Sequence, residues 1–329
     1  MQNNASTARM GFSSSLKHFV KASPARMALI LAALLFLITV LINPNGLNPT
    51  AIGSIILMTT LLAISAAGQT MVLISGGIDF GVGSVMSAAA ILTTYTMNGQ
   101  NGHFVQVLVM ALLMGAAIGA MNGICVVKIG LPPMIVTMAI SNIVTRLQYV
   151  FTQGSPSGYA SPLFVKSVTA RIGGVIPFIV FYAMLIFPLV LFVINRTRFG
   201  KQMYMVGNNR VAARLTGVRV NRIVILTYVF SGLLSSFAGM LGAAYMNTAR
   251  CQIFDDYAFT SLVAVIVGGT SFSGGIGTFG GTIAGALLMT VLSNALTTLA
   301  LSQPLRNILN GVIVVLLLIL YNRSKSVRQ

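Results

Sequence analysis

The chain has 329 residues, of which 56% are hydrophobic and only 7% are charged. So few charged groups cannot cover a water-soluble globule of this size, so the composition predicts a protein of the lipid bilayer. Twenty Lys and Arg residues stand against three acids, Asp79, Asp255 and Asp256, and there is no Glu. No stretch resembles a soluble nucleic-acid module, and we attribute the basic excess to contact with anionic membrane lipids.

The apolar runs predict an all-α integral membrane protein, because about 30 Å of hydrocarbon needs roughly twenty helical residues. The strong spans are expected, in chain order, at 51–75, 104–127, 132–151, 175–194, 223–246 and 279–299. Two shorter runs bounded by charge, 27–42 and 305–321, are expected to span as well. Residues 82–97 and 257–270 are marginal in length, and whether they cross fully or fold back is left open. Counting both gives about ten transmembrane helices, some broken or re-entrant.

The distribution of basic residues orients these spans. Segment 195–222 holds seven of the twenty basic residues and no acid, which is typical of a cytoplasmic loop. With ten crossings and a cytoplasmic N-terminus, fifteen of the twenty are cytoplasmic. We therefore expect a cytoplasmic N-terminal segment at 1–26, a single transmembrane domain at 27–321 and a cytoplasmic tail at 322–329, with both termini inside.

The sequence contains no catalytic or metal-binding constellation. His18 and His103 lie far apart, the three Asp residues are not spaced as metal ligands, and no glycine-rich loop ends in Gly-Lys-Ser/Thr. We therefore expect neither an enzyme nor a cofactor bound by this chain.

Two glycine-rich breaks, 75–84 and 268–275, weakly repeat one another. Broken segments at membrane depth tend to mark a translocation path, although glycine also permits close helix packing. Packing is favoured for the set at four-residue spacing, Gly115, Gly119 and Gly123. Asp79, in the first break, is expected to cap the following helix, and it could thereby set the angle of that helix at a gate.

Polar side chains within apolar spans are the other candidates for a solute path. Each could equally form an interhelical hydrogen bond, but together they predict a polar and nearly uncharged passage, as a neutral, hydroxyl-rich solute requires. The path or gate candidates are Gln69, Gly76, Gly77, Asp79, Asn122, Thr137, Asn142, Arg146, Gly268, Gly269, Thr270 and Asn294.

The cytoplasmic loop is interpreted in two pieces. Residues 196–201 are expected to anchor the preceding span, and residues 208–217 are expected to form a short helix. Asn208 or Asn209 can cap that helix and Gly217 can end it. Such a helix can dock in a groove of a partner or serve as a solvated linker.

Several motifs together resemble the permease subunits of bacterial ATP-binding-cassette importers, in the branch serving ribose, xylose and galactofuranose. They are Gly68-Gln69-Thr70, Ile74-Ser75-Gly76-Gly77-Ile78-Asp79, Pro132-Pro133, Arg198-Phe199-Gly200, Gly207-Asn208, Ala212-Ala213-Arg214-Leu215-Thr216-Gly217, Val267-Gly268-Gly269-Thr270 and Ser273-Gly274-Gly275. The resemblance covers residues 68 to about 286 in order.

The resemblance implies a multi-pass subunit of the bacterial cytoplasmic membrane that pairs with a second permease copy. It also implies an ATPase subunit that binds ATP and Mg, and a solute-binding protein outside the membrane. The segment 207–217 is similar to the family's coupling helix, which inserts into the ATPase. The implied coupling residues are Gly207, Asn208, Arg210, Ala212, Ala213, Arg214, Leu215 and Gly217.

The chain departs from the family at two places. Relatives usually carry an acid in the coupling helix before the paired alanines, where this chain has Asn209-Arg210-Val211. They also tend to carry a Glu and an Asp where this chain has Ala258 and Thr260. Asp255 and Asp256 lie a few residues earlier and could substitute. Two alternatives to a sugar permease stay open: a permease for branched-chain amino acids, nucleosides or a quorum signal, and an ion-coupled secondary transporter, which would need buried acids.

Overall fold

The computed structural model describes residues 23–299 and positions 305, 308, 309, 311 and 312. The regular secondary structure of the described part is helical apart from one short hairpin of β1, Arg171–Ile172, and β2, Ile176–Pro177. The helices are α1 Pro24–Ile42, α2 Pro49–Ile74, α3 Val82–Met97, α4 Phe104–Ile124, α5 Pro133–Thr152, α6 Pro162–Thr169, α7 Ile179–Arg196, α8 Arg198–Asn208, α9 Arg210–Leu215, α10 Val220–Met246, α11 Asp256–Val267 and α12 Phe279–Thr298.

Proline and left-handed residues set many of the helix limits. Four helices, α1, α2, α5 and α6, begin with Pro in the first turn, where its missing N–H costs nothing. Asn98, Gln153 and Asn247 adopt positive φ where α3, α5 and α10 end. Helix α4 continues through a π-helical turn, Cys125–Ile129, to a left-handed Gly130. Apart from the start of α6, the helix ends set by these residues lie close to the ends of the predicted apolar runs.

Within the described residues, seven helices are long and apolar enough to cross a membrane: α1, α2, α4 with its extension, α5, α7, α10 and α12. They correspond to the six strong predicted spans and to 27–42. Helices α3 and α11, with 16 and 12 residues, match the two marginal runs. The predicted span 305–321 lies almost wholly outside the described residues.

The predicted span 175–194 needs a correction. Its first residues belong to the hairpin, and α7 begins only at Ile179. The apolar run is continuous across Val175 to Pro177, so hydropathy alone does not reveal the change of backbone.

Three helices form the centre of the molecule. In α2, α10 and α12, 67% of the most apolar window is buried, against 17–33% in the other four long helices. The predicted packing role of Gly115, Gly119 and Gly123 is confirmed, because a Cβ on each would overlap the backbone of α10. Peripheral helices α1, α4, α5 and α7 therefore present broad apolar surfaces, as expected for contact with lipid.

The loop that is predicted to be cytoplasmic contains one helix that was not predicted from the sequence. Residues 198–208 form an 11-residue helix, α8, which includes part of the segment 196–201 that was predicted to anchor the preceding span, and Thr197 caps it through the N–H of Gly200. Its buried residues Gly200, Met203 and Val206 recur at three-residue spacing and pack on the core. The predicted short helix is present as α9.

Candidate translocation and coupling site

The first glycine break follows α2. The backbone leaves the helix at Ser75, and Gly76 takes φ 78°, a left-handed conformation that residues with a Cβ adopt only with strain. Seven residues, 75–81, then run without helix before α3 begins. Tyr228 of α10 supports this segment, since its hydroxyl donates to the carbonyl of Ile78 at 3.2 Å.

Asp79 is buried in this break, but it does not cap α3 as predicted. Its Oδ1 accepts from the N–H of Gly81 at 2.8 Å, one residue ahead of the helix, and no side chain caps α3. Its Oδ2 accepts from the hydroxyl of Ser231 on α10 at 2.8 Å. The carboxylate therefore ties the break to α10, a partner 152 residues away that local sequence cannot indicate.

The second break lies against the first. After α11, Gly269 takes φ 98°, and the chain returns to α2, where the N–H of Gly275 donates to the carbonyl of Ile74 at 2.9 Å. Gly274 lies directly beside Gly76. The two repeated segments are thus brought together by main-chain contacts.

Helix α8 ends in the same place. A Cβ on Gly207 would overlap the carbonyl of Ile74 and the N–H of Gly275, and the Asn208 side chain lies against Gly275. We call this meeting of Ile74, Gly207 and Gly275 the glycine junction. Tyr204 adds a side-chain link, since its hydroxyl donates to the carbonyl of Gly277 at 2.7 Å. Burial raises the pKa of Tyr204, which keeps this donor protonated.

Helix α9 projects from the junction. Asn209 caps it by accepting from the N–H groups of Val211 and Ala212 at 2.9 and 3.0 Å, and Gly217, at φ 82°, follows its end. Only Ala213 is buried. Val211 and Leu215, one turn apart, are 70% and 84% exposed.

A cleft of about 560 Å³ opens between α9 and the first break, and we call it the α9 cleft. Arg210 and Arg214 line it together with Asn208, Asn209 and Ser75. The Arg210 guanidinium lies 4.0 Å from the position that a Cβ on Gly76 would take. The predicted coupling residues therefore adjoin the predicted gate.

A larger cavity of about 710 Å³, the α12 cavity, lies between α2, α11 and α12. Ser54 near the start of α2 lines it, whereas Ser75 after the end of α2 lines the α9 cleft, so the two spaces lie at opposite ends of a 26-residue helix. Of the predicted path residues, only Asn294 lines this cavity. Its polar lining otherwise includes Ser54, Asp256, Thr260, Thr290, Ser293 and Thr297.

Most of these cavity residues were missed by reasoning from the sequence, although a signal was present. Thr290, Asn294 and Thr297 recur at helical spacing within one apolar span, and Asp256 and Thr260 do so at the start of the next helix upstream. Asp256 thus lines the cavity from the first turn of α11.

Several buried polar groups have no hydrogen-bond partner in the described part of the chain. Both amide atoms of Gln69 on α2, the Asn122 carbonyl oxygen and the Thr270 hydroxyl form no hydrogen bond. Thr137 is different, since its hydroxyl accepts from the N–H of Phe80 at 3.1 Å and so holds the first break against α5. Buried unpaired amides are rare and indicate bound water or a ligand.

Two predicted path residues lie elsewhere. Asn142 and Arg146 are exposed on α5, where Asn142 donates to the carbonyl of Met138 and Arg146 lies over the ring of Tyr149 at 6.0 Å. They do not meet the other candidates within this chain. Gly268 and Gly77, in contrast, are packed inside, with Gly268 against Gly281 and Gly77 against Tyr228.

Comparison with known proteins agrees with this architecture. Residues 51–320 match the profile of the branched-chain amino acid transport system / permease component family. The chain is 33% identical over 301 residues to the ribose import permease protein of Escherichia coli K12, covering 90% of this chain and 93% of that protein. It is 30% identical to the ribose import permease protein of Bacillus subtilis, covering 89% and 91%.

The chain is also 29% identical to the galactose/methyl galactoside import permease protein of E. coli K12, covering 87% and 91%. No solved structure matches it. Because the family profile covers most of its length, the chain is a multi-pass membrane protein that belongs to the branched-chain amino acid transport system / permease component family.

Proposed function

We propose that this chain is the transmembrane subunit of an ATP-driven importer for a monosaccharide. The observation that carries the proposal is its similarity, over about nine-tenths of its length, to ribose and galactose import permeases. The chain provides the translocation path and the segment that transmits movement of the ATPase to it. A separate ATPase subunit binds ATP and Mg, a solute-binding protein delivers the sugar, and a second permease copy completes the path.

The proposed orientation places α8 and α9 in the cytoplasm of a bacterial cell, together with both termini. Ten crossings, with α3 and α11 completing their passage through the non-helical breaks, put most basic residues on that side. The α9 cleft then faces inward, and the α12 cavity, at the other end of α2, faces outward. Solute enters from the α12 cavity.

Coupling in this proposal runs through the glycine junction. A movement of α8 and α9 by the ATPase acts on Ile74 and Gly275 together, because Gly207 touches both with main-chain atoms. It therefore displaces the ends of both breaks at once. Backbone contacts have no rotamer freedom to absorb a displacement, so the motion reaches α2 and α12 with little loss.

The solute is expected to be neutral. The α12 cavity lies within the 300–1,000 Å³ usual for small-molecule sites, and hydroxyl and amide groups dominate its polar lining. Gln69, buried on α2 with both amide atoms unpaired, can exchange hydrogen bonds with sugar hydroxyls during passage.

The decisive test is transport by the complete complex in proteoliposomes, with radiolabelled ribose or galactose and the loaded binding protein outside. We expect uptake only with internal MgATP. Uptake that ignores ATP and follows a proton gradient would instead identify a secondary transporter.

A permease for amino acids is the second candidate, favoured by one observation. Asp256 lines the α12 cavity and can pair with the ammonium group of a zwitterion. The same assay with radiolabelled leucine separates the two, and Asp256→Asn decides the role of the carboxylate. For a sugar we expect Asp256→Asn to change uptake little, and for an amino acid to reduce it about tenfold or more.

A further inference from the structure

We propose that α9 and the α9 cleft receive an acidic surface of the ATPase subunit, in which carboxylates pair with Arg210 and Arg214 while an apolar depression covers Val211 and Leu215. This inference rests on the proposed function and adds the chemistry of the partner's surface. It makes the chain the basic side of the contact and the ATPase the acidic side.

The exposure of α9 is the first support. Among the described residues Leu215, at 84%, is the most exposed of the large apolar side chains, and Val211 lies one turn before it at 70%. A helix of six residues is too short to be stable alone, and Ala213 is the only residue that it buries in the chain. A partner that covers Val211 and Leu215 supplies the missing packing.

The charge of the surface is the second support. Arg210 and Arg214 are exposed on the same face of α9, four residues apart, and both line a cleft whose lining contains no acid. The chain's three carboxylates are engaged or located elsewhere. Asp79 accepts from Gly81 and Ser231, Asp255 accepts from Gln252, and Asp256 lines the α12 cavity.

The arrangement of apolar and basic groups favours a protein over a lipid surface. A helix lying in the membrane interface has its apolar residues on one side and its charges on the other. On α9, Val211 directly follows Arg210 and Leu215 directly follows Arg214, so apolar and basic side chains form adjacent stripes. A flat membrane interface cannot bury the apolar stripe and pair the neighbouring basic stripe at the same time, whereas a shaped protein surface can offer an apolar depression beside carboxylates.

Arginine suits this role because its planar guanidinium binds a carboxylate through two parallel hydrogen bonds. Since Arg210 overhangs Gly76, a carboxylate bound there also touches the first break. Docking and gating thus share one residue.

The inference is tested by measuring how the purified partner ATPase subunit binds to the full-length chain in nanodiscs across a range of NaCl concentrations. Ionic contacts weaken as the Debye length falls from about 14 Å near 50 mM to about 4 Å near 500 mM salt. We expect wild-type Kd to rise about tenfold or more over this range. The double variant R210Q/R214Q should bind about tenfold more weakly at low salt and lose most of its salt dependence.

Matched variants separate the two halves of the surface. V211S/L215S should weaken binding by a similar factor at every salt concentration, and R198Q, at the far end of α8, should leave Kd unchanged. Replacing an acid of the ATPase by Arg should restore binding to R210E. Membrane insertion and thermal stability of each variant confirm folding.

The outcomes distinguish the inference from the proposed function. Tight binding that salt and R210Q/R214Q leave unchanged overturns the acidic surface while keeping the ATPase partner. In another outcome, replacing the two arginines changes the interaction with phosphatidylglycerol in the nanodisc but leaves ATPase binding unchanged. That outcome assigns the arginines to lipid contact and also overturns the acidic surface. Absence of ATPase binding, together with ATP-independent uptake, rejects the proposed function itself.

Discussion

At the scale of single residues, Asp79 shows how a buried carboxyl group is held by hydrogen bonds. Its two oxygens accept from Gly81 and Ser231, so loss of the Ser231 hydroxyl leaves one oxygen unpaired. We expect Ser231→Ala to destabilise the protein by about 1–3 kcal/mol, the usual cost of leaving a buried polar group without its hydrogen-bond partner. Thermal unfolding in detergent measures the effect.

Ser235 gives the matched control one turn along α10. It is equally buried, but its hydroxyl has no hydrogen-bond partner in the described part of the chain. Ser235→Ala should therefore be neutral or slightly stabilising. Equal losses in the two variants would contradict the assigned role of Ser231.

At Gly207, substitution by Ala has opposite effects on helix propensity and on packing. Ala is the better helix former by about 0.5–1 kcal/mol, but its Cβ would overlap the carbonyl of Ile74. Packing should win, since overpacking costs about 1–3 kcal/mol and the overlap is with rigid backbone. We expect Gly207→Ala to lower thermal stability and Gly280→Ala, on α12 with open space around it, to raise it slightly. A stabilised Gly207→Ala would show that the junction is looser than described.

At the scale of elements, α8 is linked to the segment after α11 by one side-chain hydrogen bond, from Tyr204 to Gly277. Tyr204→Phe removes this bond and keeps the ring. A loss of about 1 kcal/mol should speed amide exchange of residues 274–278 roughly fivefold, as measured by hydrogen–deuterium exchange.

The same substitution at Tyr149 serves as its control. Tyr149 donates to Gln252 at an exposed position outside the glycine junction, so Tyr149→Phe should leave exchange of 274–278 unchanged. Faster exchange in both variants would indicate general destabilisation instead of a local link.

At the scale of the whole molecule, topology is the property to test. In a Cys125→Ser, Cys251→Ser background, a single cysteine at exposed Lys166 should react with a membrane-impermeant maleimide in spheroplasts, and one at exposed Lys201 should react only after permeabilisation. The proposed orientation follows from the positive-inside rule. Labelling of Lys201→Cys in intact spheroplasts would reverse it.

Hydropathy predicted the long helices because a bilayer imposes length and apolarity on each span separately. It did not predict α8, because the charged Arg198 and Lys201 lower the hydropathy of this segment. The buried residues Gly200, Met203 and Val206 nevertheless recur at three-residue spacing. The apolar run at Val175 likewise concealed β2. In both cases tertiary contacts outweigh local composition.

The candidate site was predicted in parts but not as a whole. The two breaks and the residues of α9 each have a local pattern, whereas their meeting at Ile74 and Gly275 depends on contacts far apart in sequence. Asp79 illustrates the limit, since its partner Ser231 cannot be inferred from neighbours. The α12 cavity required the relative placement of three helices.

The glycine junction consists of main-chain atoms, whereas the α12 cavity is shaped by side chains at the other end of α2. Under the proposed function, solute selection and coupling to the ATPase therefore depend on separate parts of the structure. On that proposal, substitutions in the walls of the α12 cavity are expected to change the solute specificity while the coupling contact at the glycine junction stays intact.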